Sequence, residues 1–165
     1  MTPTPASDTD ELVPRGEMVL IRTVRLERSL VWRLWTESRH LAAWWGPHGF
    51  TNRECSIDAT PGGEVRILMC SPDAEEYQNV GTVRVADEPG LLVFSIALVN
   101  TDGTVRLENL ITVELEDRGA TTEVTVRVQV LHATPDSREN LAGMRDGWSE
   151  SLDRLAGLET KAAGG

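Results

Sequence analysis

The residues able to carry acid–base chemistry in this 165-residue sequence are few and widely spaced. The histidines are His40, His48 and His132, which fall on a predicted helix, a loop and the end of a strand. His48 follows a Trp-Trp-Gly-Pro run and is a candidate acid–base group, although a solvated loop histidine is the favoured interpretation. Asp58 is a second candidate, but a carboxylate just before Pro-Gly-Gly more often fixes the turn. Tyr77 is the third candidate.

Spacings typical of metal sites and activated nucleophiles are missing from the sequence. It has no His-x-x-x-His pair, no closely paired cysteines, no glycine-flanked nucleophilic serine and no glycine-rich phosphate loop. Cys55 and Cys70 are interpreted as reduced thiols, because too few other ligands lie near them to hold a metal. We therefore expect neither a metal nor a cofactor, and we rank a binding protein above an enzyme.

Two amides interrupt rows of apolar residues, where a buried polar group needs a partner. Asn109 lies in the alternating row that contains Ile111, and Asn79 shares a predicted face with Val83 and Val85. Leaving such a group unpaired costs about 1–3 kcal/mol. A ligand, an ordered water or a neighbouring strand could supply the partner. A structural partner is favoured for Asn79, while both alternatives remain open for Asn109.

The aromatic residues are dominated by tryptophan, with five tryptophans against one tyrosine and two phenylalanines. Trp44 and Trp45 are adjacent in a predicted helix, so their side chains point about 100° apart. Either one packs inward while the other lines an entrance, or both anchor the short helices to the sheet. Gly143 and Gly147 lie near Trp148 inside another predicted helix, where a glycine costs about 1 kcal/mol relative to alanine. They allow either close packing on the sheet or room for a ligand.

These residues must be positioned by a sheet made of many short strands. The valines at 124, 126, 128 and 130 alternate with polar residues, so one face of the sheet is predicted to be buried and the other to be exposed to solvent. Short connections rich in glycine, proline and aspartate suit antiparallel neighbours. The predicted strands cover residues 18–26, 51–59, 64–70, 76–86, 91–99, 104–116 and 121–131.

Helical spacing predicts two short helices and one long one. Ser29 is expected to cap the first, and the second begins near Ser38 and ends before Gly46-Pro47. Thr134 is expected to cap a single long C-terminal helix with one apolar stripe, which must be buried against the sheet. The stripe consists of Leu141, Met144, Trp148, Leu152 and Leu155.

Three motifs, found in order, resemble those of a known family. The family's tryptophan-rich segment is matched by residues 40–47 (HLAAWWGP), and its Gly-Gly hairpin by Ile57-Asp58 with Pro61-Gly62-Gly63. Its C-terminal helix motif is matched by residues 147–155 (GWSESLDRL). The resemblance covers residues 18–158 and is to the START-like (SRPBCC) superfamily. Within it, the sequence resembles the branch of homologues of the activator of the 90-kDa heat-shock protein ATPase.

The resemblance implies an α+β helix-grip (START-like) fold. In such a fold a curved antiparallel sheet wraps around a long C-terminal helix, and two short helices follow the first strand. The domain is expected to span residues 17–159, between flexible tails at residues 1–16 and 160–165. An apolar pocket between the sheet and the helix is also implied. The residues expected to line it are Trp44, Trp45, Met69, Tyr77, Phe94, Asn109, Met144 and Trp148.

The function that follows from such a pocket is the binding of a small hydrophobic or aromatic ligand. One alternative is an enzyme, a cyclase, dehydratase or hydrolase, that acts on a hydrophobic substrate in the same pocket, with Asn109 beside the three candidates above. Another is co-chaperone-like protein interaction in the stress response. The polar residues predicted for the outer sheet face argue against a large apolar docking patch there.

The formal net charge of −10 disfavours two kinds of partner. It repels a phosphate backbone and an anionic membrane surface, so we expect neither nucleic acid nor membrane binding. The apolar runs are too short to cross a bilayer, and the N-terminal residues carry no apolar stretch of signal-peptide length, so we expect a cytoplasmic protein. A homodimer and a chaperone partner are both compatible with the sequence, and no residue pattern supports either.

Overall fold

The computed structural model describes residues 17–164, with side chains described for residues 17–158. Its strands are β1 (Glu17–Val24), β2 (Thr51–Ile57), β3 (Glu64–Cys70), β4 (Glu76–Asp87), β5 (Leu91–Val99), β6 (Val105–Asp117) and β7 (Thr122–Ala133). Its helices are α1 (Arg28–Thr36), α2 (Ser38–Trp44), α3 (Arg138–Ala142) and α4 (Met144–Gly164), and Pro135–Ser137 forms a 3-10 turn.

The strands of the described region form one curved antiparallel sheet in the order β1-β7-β6-β5-β4-β3-β2. Consecutive strands from β2 to β7 are neighbours, because short turns join them, and β1 returns to pair with β7. The C-terminal helix α4 packs across the inner face, where its Leu152 and Leu155 are fully buried. The predicted α+β helix-grip fold is confirmed.

The inner face of the sheet is apolar, as the alternation predicts. Val124, Val126 and Val128 of β7 are fully buried, and the side chains between them point outward. Burying such a side chain stabilises the fold by about 1.5–3 kcal/mol. Helices α1 and α2 close one end of this core with Trp35 and Trp44. The large apolar side chains that remain exposed are Val19, Ile21, Val85 and Leu131.

The edge strand β1 is held to the C-terminal helix by polar contacts. Arg22 donates from Nε to Asp153 Oδ1 at 3.2 Å and from Nη2 to Ser149 Oγ at 2.8 Å. Since Arg22 lies on the edge of the sheet, these bonds fix how far α4 sits from β1. The start of α4, before Ser149, lies over the middle strands.

The predicted inward orientation of Val85 is wrong. The β4–β5 register shifts between Val83 and Val85, so the residues after this bulge face the opposite side of the sheet. Val83 is 1% exposed, whereas Val85 is 37% exposed. A bulge inserts one residue into a strand, and the alternation of β4 alone gives no sign of it.

The predicted cap at Ser29 is wrong, and Thr134 occupies the predicted N-cap position, ahead of the 3-10 turn, without a side-chain capping bond. Glu27 is extended, with ψ of 157°, and α1 begins at Arg28, which places Ser29 inside the first turn. The hydroxyl of Thr134 makes no capping bond to the turn that follows and instead donates to Arg106 O at 3.2 Å on the neighbouring strand. The C-terminal element is also not one helix, because the chain breaks at Gly143, which separates α3 from α4.

The predicted domain limits stay predictions. Residues 1–16 and 165 lie outside the described residues, and α4 is assigned up to Gly164, past the limit predicted at residue 159. In the part of the chain that the structure describes, no helix is both long and apolar enough to cross a membrane.

Candidate functional site

The segment after α2 turns sharply and forms one wall of a cavity. Gly46 and Gly49 have φ values of 98° and 87°, in the left-handed region that glycine tolerates best. Phe50 N, directly after Gly49, donates to Pro47 O at 3.1 Å and closes the turn. We call residues 45–50 the WWGP loop, after the Trp-Trp-Gly-Pro run at residues 44–47, whose first tryptophan ends α2.

Helix α4 holds the WWGP loop from the other side. Arg154 donates from Nη1 to the carbonyl oxygens of Trp45, Gly46 and Pro47, at 3.2, 2.9 and 3.0 Å. The hydroxyl of Ser151 accepts from Gly46 N at 3.1 Å. Burial lowers the pKa of the Arg154 guanidinium. These contacts join two of the three motifs singled out in the sequence, which lie about a hundred residues apart.

A cavity of about 310 Å³ lies between the inner face of the sheet and α4, and it opens to solvent. The middle strands form its floor, the WWGP loop forms one side, and α3 and the start of α4 cover it. Two pairs of aromatic rings lie in its wall. The rings of Trp45 and Trp148 meet nearly perpendicular with centroids 5.2 Å apart, and those of Phe50 and Tyr77 lie 6.0 Å apart.

Few polar groups face this cavity, and they differ in how well they are paired. Asn79 donates from Nδ2 to Tyr77 O at 3.1 Å and to Met69 Sδ at 3.2 Å, which supports the structural interpretation of this amide. Asn109 is 7% exposed and donates to Met144 Sδ at 3.4 Å, while its Oδ1 has no partner among the described residues. The hydroxyl of Tyr77 donates to Glu75 Oε1 at 2.8 Å, and this bond raises the pKa of Tyr77.

The structure brings together most of the residues predicted to line the pocket. Two of the predicted residues lie elsewhere. Trp44 is fully buried, with Nε1 donating to Leu34 O at 2.9 Å and its ring packed edge-on against Trp35. Phe94 is 1% exposed and packs in the core behind Trp45. The predicted residues that line the cavity are Trp45, Met69, Tyr77, Asn109, Met144 and Trp148.

The catalytic candidates do not come together. His48 lies on the WWGP loop with its side chain 60% exposed, and its backbone N–H donates to Glu150 Oε1 at 3.0 Å. Asp58 accepts from the Thr60 hydroxyl at 2.9 Å in the β2–β3 turn, which agrees with the turn-fixing interpretation. Of the three, Tyr77 alone is among the described residues that line the cavity.

Neither thiols nor clustered ligands add further chemistry to the site. Burial raises the pKa of the Cys55 thiol to about 11, so this side chain is a protonated, weak nucleophile at neutral pH. Within residues 17–158, no three histidine, cysteine, aspartate or glutamate side chains are grouped so as to hold a metal ion.

Several cavity residues were not predicted, although some were detectable. Ile96 lies opposite Asn109 and Leu98 lies opposite Leu107 in the β5–β6 register, so pairing the two strands correctly would have found both. The residues from the WWGP loop and α3 depend on how distant segments pack, which no local pattern reports. The additional lining residues are Gly46, Pro47, Phe50, Asn79, Ile96, Leu98, Leu107, Glu139, Asn140, Gly143, Gly147 and Ser151.

Comparison with known proteins agrees with this fold. The model of the family described as "Activator of Hsp90 ATPase homolog 1-like protein" matches residues 25–159. No curated protein matches the chain. A solved structure from Nitrosomonas europaea is 25% identical with a TM-score of 0.73, over 89% of this chain and 96% of that one.

Two further solved structures share the fold at lower identity. A protein from Arthrobacter aurescens is 20% identical, with a TM-score of 0.77 over 88% of this chain and 86% of its own. An AHSA1 protein from Silicibacter pomeroyi is also 20% identical, with a TM-score of 0.75 over 88% of this chain and 99% of its own. At these identities the likeness concerns the fold alone.

Proposed function

The chain belongs to the family of Activator of Hsp90 ATPase homolog 1-like proteins, and we propose that it binds a small hydrophobic or aromatic molecule in the cavity beneath α4. The family's fold can bind hydrophobic ligands, and the proposal places such a ligand among the aromatic rings of Trp45, Phe50, Tyr77 and Trp148.

The observation that carries this proposal is the cavity itself. Protein interiors are packed as densely as organic crystals, and voids larger than a water molecule are few. A space of about 310 Å³ lined mainly by apolar and aromatic side chains has the size and the character of a small-molecule site. The Arg154 and Ser151 contacts hold the WWGP loop, which forms one side of the cavity.

The test is a thermal-shift screen with alkylphenols, naphthalene derivatives and medium-chain alcohols. A ligand that binds only the folded state stabilises it by about 2.7 kcal/mol at a hundredfold excess over Kd. For a domain of this size, each kcal/mol raises Tm by about 2–4 °C, so a shift of about 5–10 °C is expected.

Two matched variants locate the binding. Leu98→Trp places a larger, aromatic side chain in the cavity and should abolish the shift, since Leu98 lines the cavity. Leu110→Trp makes the same change on the outer face of β6 and should leave the shift intact. A screen without any stabilising compound, or an equal loss in both variants, would count against the proposed function.

A further inference from the structure

The amide of Asn109 is the least satisfied polar group in the cavity wall. It lies on the central strand β6 between Ile96 of β5 and Val130 of β7, so its backbone is fixed by pairing on both sides. Its side chain is more than nine-tenths buried, and Oδ1 has no hydrogen-bond partner among the residues that the structure describes. A buried acceptor left in this state costs about 1–3 kcal/mol.

Among the described residues, the Nδ2 of this amide donates to a thioether alone, which is a weak acceptor. Asn109 Nδ2 lies 3.4 Å from Met144 Sδ. Met144 is the first residue of α4, directly after the break at Gly143, and its side chain is unbranched and flexible. It covers the amide without satisfying it, and it can rotate away without disturbing a strand.

We propose that Asn109 is the polar recognition point of the cavity and that it selects a neutral apolar ligand carrying one hydrogen-bond donor, such as a phenol, an alcohol or an amide. On this proposal, which rests on the proposed function, the Met144 side chain moves aside and the ligand's O–H or N–H donates to Asn109 Oδ1. The acceptor then gains the partner that the free protein does not give it.

The charged residues that line the cavity favour a neutral ligand over an anion. No arginine or lysine is among the described residues that line it, and the exposed residue Glu139 does. An anion would therefore meet a like charge and no counter-ion in the lining. A cation would lose its hydration on burial among mainly apolar side chains, and one amide oxygen replaces only part of that hydration.

Asn100 provides a matched control outside the cavity. It lies just after β5, it is not among the described residues that line the cavity, and its Nδ2 donates to Thr104 Oγ1 at 2.9 Å. Substituting Asn100 should therefore leave the choice of ligand unchanged.

The experiment compares naphthol with methylnaphthalene, which have nearly the same shape but differ in one donor. Binding is measured by calorimetry for the wild type, Asn109→Leu and Asn100→Leu. The wild type should bind naphthol about tenfold more tightly, because one buried acceptor is satisfied. Asn109→Leu should lose or reverse this preference, because the naphthol O–H then has no acceptor, and Asn100→Leu should keep it.

Methionine methyl NMR gives a second readout in the wild type. Naphthol should shift the methyl resonance of Met144 more than methylnaphthalene does, while Met18 on β1 serves as an internal reference. Equal affinity of the wild type for the two compounds, or a preference that persists in Asn109→Leu, would overturn the inference and leave the proposed function standing. Binding of neither compound by the wild type would instead overturn the proposed function.

The variant itself should fold. Asn109→Leu replaces an unpaired buried amide by an apolar side chain of similar size, so its Tm should equal or exceed that of the wild type. If that variant were unstable, Asn109→Val would serve in its place, because a β-branched residue suits a central strand.

Discussion

The guanidinium of Arg154 links the two walls of the cavity at the scale of a single residue. It donates to three consecutive carbonyl oxygens of the WWGP loop, at Trp45, Gly46 and Pro47. Nη1 makes all three of these bonds, and Nη2 donates to Ala43 O of α2 at 3.3 Å, so the planar guanidinium joins the loop to the preceding helix, which the single nitrogen of a lysine would not do. Arg154 thus positions the loop and does not itself line the cavity.

Arg154→Met should therefore loosen the loop. It keeps most of the apolar stem but removes the donors, which leaves Gly46 O without a donor at a cost of about 1–3 kcal/mol, while Trp45 O and Pro47 O keep bonds from Asn52 Nδ2 and Phe50 N. Tm should fall by several degrees, and the affinity for any cavity ligand should fall with it. Arg145→Met, an exposed position on the same helix, is the control and should change neither. An equal effect of both variants would show that general helix stability, and not the loop, had been altered.

At the scale of elements, the break between α3 and α4 determines which helical residues cover the cavity. Gly143 at the break and Gly147 in the first turns of α4 both line it. A Cβ added at Gly147 would meet Pro47 Cγ at 3.6 Å, an ordinary van der Waals contact. The glycine is therefore not required for close packing, which favours the interpretation that it leaves room for a ligand.

Gly147→Ala should accordingly stabilise the protein and weaken ligand binding. Alanine in a helix is favoured over glycine by about 0.5–1 kcal/mol, while its methyl group takes volume from the cavity. Gly157→Ala is the matched control, because a Cβ there meets nothing within 4 Å and Gly157 does not line the cavity. Both variants should raise Tm, and Gly147→Ala alone should lower affinity. Unchanged affinity in Gly147→Ala would place the ligand elsewhere.

The elements whose burial is periodic were predictable from sequence. The valines of β7 alternate cleanly, and Met144 and Trp148 recur at helical spacing, so both faces were assigned correctly. The bulge before Val85 and the break at Gly143 were not predicted. Each is a local irregularity that depends on contacts with another element. The sequence of the segment itself does not show those contacts.

The candidate site was less predictable than the fold for a related reason. Trp44 and Trp45 have the same side chain and adjacent positions, and only the packing of α1 on α2 decides which one turns to the core. Phe94 faces inward as its strand predicts, but it lies at the end of the sheet covered by the short helices. Sequence periodicity identifies a face, whereas the position of a cavity along that face depends on where α4 crosses it.

At the scale of the whole molecule, charge and cavity chemistry favour the same class of ligand. The chain carries a formal net charge of −10, and the described cavity wall contributes a glutamate but neither arginine nor lysine. The electrostatic field of such an acidic protein repels anions at long range. Burial in an apolar cavity would add a desolvation penalty for an anion. Neutral apolar molecules experience neither effect.

The comparison of octanol with octanoate at neutral pH tests this argument, because the two share an apolar chain and differ in charge. Octanoate should bind at least about tenfold more weakly at low ionic strength, since it meets the net charge of −10 and the Glu139 carboxylate. Raising the salt from about 0.01 M to about 0.1 M shortens the screening length from about 30 Å to about 10 Å, so the repulsion should weaken. The ratio of the two affinities, measured by calorimetry, should therefore fall with added salt, and taking the ratio removes the effect of salt on the shared chain. A ratio that is independent of salt, or tighter binding of octanoate, would mean that a positive charge acts on the cavity more strongly than the acidic surface around it.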